Sequence, residues 1–354
     1  MGWRVFECFS KGLTMGIEHR VASVIAREHA YRQITGDVLM LGRQTMFFTP
    51  EHAQLLIQDA GIPIPDIDFV VDAETRLSSS DYISDRDFFR LLGLSKVKAL
   101  DVSPYEGADI VHDLTKPIPQ ELERIADFIL DGSTLDNVFD PATVLRNEAR
   151  MLRPGGRLVA VNVASNTHGP YIIPTAHLLL DYFVTNGFSD ARVYVFVYHP
   201  DGRMNAFTPD LTRMRPGQLQ PANFTSPYTM ALVAFAEKGE QSTWDHSPVQ
   251  HQYRDHWDGF AEKLAAIEAN PRPHPARSTD DAFIYHDDYL FITPSGMAVP
   301  SVAPPTPEPP PEPEPLPELE PQPITHYRDV QGWTLVDEIG RRALRRIGFQ
   351  RIPK

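Results

Sequence analysis

Between Asp37 and Lys238, short apolar runs alternate with amphipathic stretches of helix length, and this order constrains the fold more than any other feature of the 354-residue chain. Val38–Leu41 ends at Gly42, and Thr49-Pro50 then sets an N-cap followed by proline at the first helical position, opening a helix that runs to Gly61. Residues 62–84 read as an insertion, and Asp85–Leu92 as a helix ending at Gly93. Val97–Asp101, Asp109–Asp113 and Phe128–Asp131 read as the second, third and fourth strands. Asp140-Pro141 repeats the cap-plus-proline signature before a helix that ends at Pro154-Gly155-Gly156. Arg157–Val163 follows as strand five, Thr175–Asn186 as a helix, and Val193–Tyr198 and Thr229–Ala236 as two more strands. Strands separated by helices imply right-handed crossovers and a parallel sheet. The last two have only a loop, Pro200–Pro227, between them and can pair antiparallel. The expectation is an α/β fold: a seven-stranded, mostly parallel, Rossmann-like sheet with an antiparallel final strand.

The flanks differ in composition. Residues 1–36 form a leader with a helix expected over Ile17–Ile34; residues 37–238 form the sheet domain, and residues 239–298 an accessory segment of weak periodicity. Residues 299–324 form a linker: from Pro300 to Pro323, 12 of 24 residues are proline and five are glutamate, so backbone donors are missing and like charges repel. The segment is expected to be disordered and extended. Residues 325–354 carry seven Lys/Arg against three acids, with Leu335, Ile339, Ala343 and Ile347 spaced four apart, the pattern of a basic amphipathic helix suited to docking on a protein partner or on the chain's own core, in preference to a membrane surface.

Thirty-three basic against 47 acidic side chains give a net charge of −14, which opposes nucleic-acid binding. A single cysteine, Cys8, allows neither a disulfide framework nor a cysteine zinc site. His246, His251 and His256 recur every five residues, which does not place them on one helix face, so no metal site is expected. No run reaches the ~18–20 apolar residues of a transmembrane helix, and the N-terminus has no signal-peptide core, so the expected location is cytoplasmic.

Two stretches, ALDVSPYEGADIVHDLTKPIP and ADFILDGSTLDNVFDPATVLRNEARMLRPGGRLVAVN, resemble strands two to five of the class I S-adenosylmethionine (SAM) methyltransferases. The Leu135-Asp136-Asn137-Val138 run and Leu152-Arg153-Pro154-Gly155-Gly156 carry the likeness best. Ligands of open α/β sheets bind beyond the carboxyl ends of the strands. The resemblance then implies SAM as cofactor, with Asp101 on the ribose hydroxyls, Asp113 toward the adenine amine, and Val102 and Leu114 against the adenine faces. Gly42 would admit the ligand, and Asp131 would face the methyl-donor pocket or the substrate. The family's glycine-rich loop is reduced here to Gly42-Arg43-Gln44-Thr45, where Arg43 and Gln44 are placed to reach the SAM carboxylate. His168 and Asp136 are the candidate general bases. The lone glycine also weighs against a dinucleotide fingerprint, which needs G-x-G-x-x-G. The implied function is methyl transfer to a small-molecule or saccharide-like acceptor. The competing reading is a non-catalytic methyltransferase-like module acting through its C-terminal tail.

Overall fold

The structure is a computed structural model, and it describes residues 16–79, 81–165, 170–198, 204–209, 229–249, 259–269, 283–292 and 298–300. In chain order the elements are α1 (His19–Tyr31), β1 (Asp37–Leu41), α2 (Pro50–Asp59), α3 (Asp85–Leu91), β2 (Lys96–Asp101), β3 (Ile110–Val111) and β4 (Ala126–Gly132). There follow α4 (Pro141–Met151), β5 (Leu152–Ser165), α5 (Ala176–Thr185), β6 (Asp190–Tyr198), β7 (Met204–Pro209), β8 (Thr229–Glu237), α6 (Phe260–Glu268), β9 (Phe283–Ile292) and β10 (Ala298–Pro300).

The capping signatures act as the residues dictate. Thr49 accepts from His52 N at 3.3 Å and Asp140 from Thr143 N at 3.1 Å, each satisfying an orphan donor in a first turn that begins with proline. Thr175 accepts from Leu178 N at 3.1 Å to start α5.

All ten described strands form one sheet, in the order β10-β9-β7-β6-β8-β5-β4-β1-β2-β3. Strands β3, β2, β1, β4 and β5 are mutually parallel, and β8 inserts antiparallel between β5 and β6. Chain direction across the sheet reverses between β1 and β4, which makes their carboxyl ends the topological switch point. Two-residue alternation sends the side chains to two cores. Val38, Met40, Phe128, Leu130 and Val159 pack with α1, α2 and α3 on one face. Leu39, Leu41, Ile129, Leu158 and Ala160 pack with α4, α5 and α6 on the other.

The expected α/β fold with antiparallel closing strands is present, with four corrections of detail. The sheet has ten strands rather than seven. Strand β7 lies inside the expected Pro200–Pro227 loop, paired antiparallel with β6 from Val195↔Phe207 to Tyr198↔Met204. Its other neighbour, β9, parallel to it, comes from the accessory segment, and β10, antiparallel to β9, runs from the last residue of that segment into the expected linker. The third strand shrinks to Ile110–Val111, because after the last ladder bond, from His112 N to Asp101 O, Asp113 is taken up in a turn with Thr115. The fifth strand begins earlier, at Leu152, with a register shift across Pro154–Gly156.

The leader helix α1 is built into the first core: Ile17, Val24 and Ile25 are fully buried beside Met40 and Phe128. Arg157 of β5 pairs with Glu28 at 2.9 Å and also bonds Arg32 O, fastening the helix to the sheet. Among the described residues no helix is long and apolar enough to cross a membrane. Apart from Val299 and Pro300, which lie in β10, the expected linker and the C-terminal helix lie outside the described residues.

Candidate functional site at the switch point

Gly42 follows β1 with φ +74°, and its N–H donates to Leu100 O at 2.7 Å. A Cβ there would meet Asp101 Oδ2 at 3.7 Å and Gln44 Nε2 at 3.8 Å, ordinary contacts, so the left-handed backbone and not crowding is what calls for glycine.

Arg43 turns inward. Its side chain is 1% exposed; Nε and Nη2 each donate to Asp85 at 2.8 Å, and Nη1 donates to Glu74 and to Glu106 O. Burial opposes its charge, but the hydrogen bonds and charges of Asp85 and Glu74 outweigh burial and raise its pKa. Asp85 also accepts from Gln44 N at 2.9 Å. Arg43 therefore ties the β1 loop to the start of α3, to the insertion and to the loop after β2. The expectation that it reaches a cofactor carboxylate does not match this geometry, because every guanidinium nitrogen already has a carboxylate or carbonyl partner. The insertion adds a bond of 2.6 Å between the hydroxyls of Thr45 and Thr75.

Gln44 is 3% exposed and lies between the ends of β1 and β4. Its Nε2 donates to Leu41 O at 3.2 Å, while Oε1 is buried without a partner. It rests on Gly132, where a Cβ would fall 2.1 Å from that oxygen. Thr134 Oγ1 donates to the same Leu41 O at 2.9 Å.

At the end of β2, Asp101 is half-buried. Oδ1 accepts from Ser103 N at 3.2 Å, and Oδ2, on the side of Gly42, takes no donor among the described residues. The next residue, Val102, is 67% exposed. Asp113 lies two residues beyond β3; its Oδ1 accepts from Thr115 N at 2.9 Å and Thr115 Oγ1 at 2.6 Å, and the hydroxyl bond above all holds its pKa down. Leu114 is packed into the second core, which turns it away from any open adenine face. Asn147 of α4, with no signature in the sequence, holds this loop by donating to Leu114 O at 2.9 Å and Lys116 O at 2.8 Å and accepting from Ile118 N at 3.1 Å.

The acids at the end of β4 and in the turn after it point inward. Asp131 is fully buried and accepts from Thr134 N and from Leu135 N at 3.1 Å. Burial, with the charge of Asp136, pushes it up to about 6. Glu148 of α4 faces it, with no protein donor on either oxygen, and burial and the Asp131 charge push it well above the usual carboxylate range. Burial and the neighbouring Asp131 charge thus both favour the protonated form of Glu148. The expectation that Asp131 faces a methyl-donor pocket or the substrate gives way to this buried pair.

Asp136 is likewise buried. It accepts from Ser133 Oγ at 2.7 Å, Asn137 Nδ2 at 3.1 Å and Val163 N at 2.7 Å, and burial raises its pKa. Its own carbonyl accepts from Ile172 N at 3.2 Å. The carboxylate splices the end of β5 to the turn after β4. His168 lies outside the described residues.

The fold thus brings Gly42, Gln44 and Asp101 together at the switch point, with Val102 and Asp113 along the same rim. It draws Arg43, Leu114, Asp131 and Asp136 into the interior. Their sequence signals were strand-end or loop positions, which fix height along the sheet but not the direction of a side chain.

No protein-family model and no curated protein matches the chain. Among solved structures, it is similar to a Burkholderia thailandensis 1,6-didemethyltoxoflavin-N1-methyltransferase bound to 1,6-didemethyltoxoflavin and S-adenosylhomocysteine. That likeness has 16% identity over 63% of this chain and 78% of that one, at TM-score 0.28. The MccD protein is similar at 11% identity over 62% and 96% of the two chains, at TM-score 0.30. A structure describing conversion of a disulfide bond into a thioacetal group during echinomycin biosynthesis is similar at 15% identity over 71% and 88%, at TM-score 0.29. The fold assignment rests on the chain's own strand order and strand-end residues. These define a Rossmann-like α/β domain, extended by three strands beyond β6.

Proposed function

We propose that the protein is a SAM-dependent methyltransferase acting on a small-molecule or saccharide-like acceptor. The observation that carries this reading is the open Asp101 carboxylate beside left-handed Gly42 at the switch point. An aspartate oxygen with no protein donor, at the end of the strand next to β1, suits a vicinal diol such as that of a ribose. The Oδ2 of Asp113, which takes no donor among the described residues, suits an exocyclic amine, and exposed Val102 offers an apolar face to a base. The orphaned Oε1 of Gln44 suits an ammonium, and buried acceptors call for such partners.

SAM supplies an electrophilic methyl group; the protein aligns the acceptor with it. An acceptor hydroxyl or amine also needs a base. His168, after β5, remains the candidate. Asp136 is instead a positioning residue, because three donors already hold its carboxylate in place.

Titration calorimetry with SAM and S-adenosylhomocysteine tests the reading. Asp101→Asn should weaken binding of both ~10–100-fold, the worth of hydrogen bonds to a charged acceptor, while leaving the melting temperature unchanged. Absence of binding heat for the wild-type protein with either compound sinks the proposal and favours the non-catalytic module.

A further inference from the structure

The three most exposed aromatic side chains among the described residues are Phe139 at 87%, Tyr171 at 74% and Tyr105 at 65%. All three stand on loops that follow carboxyl ends of the parallel strands: Tyr105 after β2, Phe139 after β4 and Tyr171 after β5. Large apolar side chains scattered singly over a surface need no explanation, but gathering at one end of a sheet does. Tyr105 belongs to the cofactor side, beside Asp101. Phe139 and Tyr171 belong to the other side of the switch point, and the backbone brings their loops together. Ile172 N donates to Asp136 O at 3.2 Å, and Val163 N donates to Asp136 Oδ2 at 2.7 Å. The segment after β5 is thereby laid along the turn that leads into Phe139, with Ile173, 46% exposed, beside it.

The chemistry around these rings is specific. From Ala126 to Leu145 the chain has no Lys, Arg or His but four aspartates, and Pro170–Ala176 has no charged residue. The two loops themselves supply no cation for a phosphate or carboxylate; Arg146, the residue after Leu145, is near enough for its charge to lower the Asp140 pKa, and it donates to Ser247 Oγ at 3.3 Å. Acceptors for hydroxyl protons are present: Asn137 donates its amide to Ser133 O at 2.6 Å, and its Oδ1 takes no donor among the described residues. The Asp140 carboxylate adjoins Phe139 and is oriented by Thr143, whose hydroxyl donates to it at 2.7 Å. Rings so exposed offer an open face. That suits a ligand with one apolar C–H face and hydroxyls around its edge, since the negative face of an aromatic ring attracts polarised C–H groups.

We propose that Phe139 and Tyr171 form a stacking platform for a neutral saccharide ring, with Asn137 and Asp140 accepting from its hydroxyls, and that this ring belongs to the acceptor substrate. The assignment rests on the methyltransferase reading only for its last clause; the platform itself does not depend on it.

The test is saturation-transfer NMR on the full chain, with and without S-adenosylhomocysteine. The probes are neutral hexose, deoxyhexose and N-acetylhexosamine oligosaccharides, with 8-hydroxyquinoline as a planar aromatic probe. At least one saccharide should bind the wild-type protein. Phe139→Ser and Tyr171→Ser should each weaken it ~3–10-fold, the worth of one ring face, with S-adenosylhomocysteine affinity unchanged. Both rings are solvent-exposed, so both variants should keep the wild-type melting temperature, and Leu55→Ser, exposed on α2, should leave saccharide binding as it was. Wild-type affinity in both ring variants, binding of the quinoline but no saccharide, or no binding of any probe overturns the proposal. Saccharide binding that depends on the rings in a protein that does not bind S-adenosylhomocysteine keeps the platform and removes the methyltransferase reading.

Discussion

Replacing Glu148 by glutamine gives the sharpest test of how the interior is arranged. In the fold, Glu148 keeps its proton well above the usual glutamate range because burial and the Asp131 charge oppose ionisation. In the unfolded chain it ionises near 4.3. Over neutral pH the folded protein therefore binds one more proton than the unfolded one, and stability must fall as pH rises. The slope is ~1.4 kcal/mol per pH unit for one proton, so ~2.7 kcal/mol between pH 6 and 8 wherever folded Glu148 stays protonated. Asp131, raised to about 6, adds to the loss between its unfolded value and pH 6 and little above it. The sign is that of a raised acid: the stabilisation is complete below pH 4 and is lost as pH rises through the folded value. Glutamine has the shape of the protonated acid. Glu148→Gln should remove the slope and be the more stable protein at pH 8. Neutral, buried His29, whose pKa burial lowers, contributes an opposite slope near its unfolded value, but equally in both proteins. Urea denaturation at half-unit steps from pH 6 to 8 measures the difference. Parallel stability curves for the two proteins would refute a protonated Glu148.

Further expectations follow from the same geometry. Arg43→Ala should cost ~3–5 kcal/mol in urea denaturation, since it leaves Asp85 buried without its partner. Arg43→Lys should also lower the melting temperature yet leave calorimetric affinity for S-adenosylhomocysteine within ~3-fold, as single hydrogen-bond changes away from a ligand do; a total loss of affinity in a folded protein would return Arg43 to the ligand. Gly42→Ala should cost ~1–2 kcal/mol from the left-handed backbone alone, because the methyl itself has room. Asp136→Asn should cost ~1–3 kcal/mol in denaturant by unbalancing the donors gathered on it, and any turnover it retains should keep the wild-type pH profile.

Much of the fold was legible because its signals are local. Thr49-Pro50 and Asp140-Pro141 place helix starts through one hydroxyl or carboxylate and a ring that fixes φ, and the structure has α2 and α4 beginning there. Runs such as Val38–Leu41 announce strands buried on both faces. Strand β7 was hidden because Met204–Pro209 is six residues long and ends in proline, so only pairing with β6 and β9 makes it a strand. Strands β9 and β10 likewise needed neighbours that the sequence does not place.

For the site, the chain by itself determined which residues stand at strand ends: Gly42, Asp101 and Asp131 sit where the alternation put them. Only the tertiary structure decided which way each one faces. Asp101 opens beside Gly42, whereas Asp131 is closed over by Glu148, and Arg43 is captured by Asp85, 42 residues away. The difference is physical. Height along a strand follows from backbone hydrogen bonding that local sequence encodes. The partner of a polar side chain is chosen by desolvation, which penalises any buried charge until another segment of the chain arrives to satisfy it.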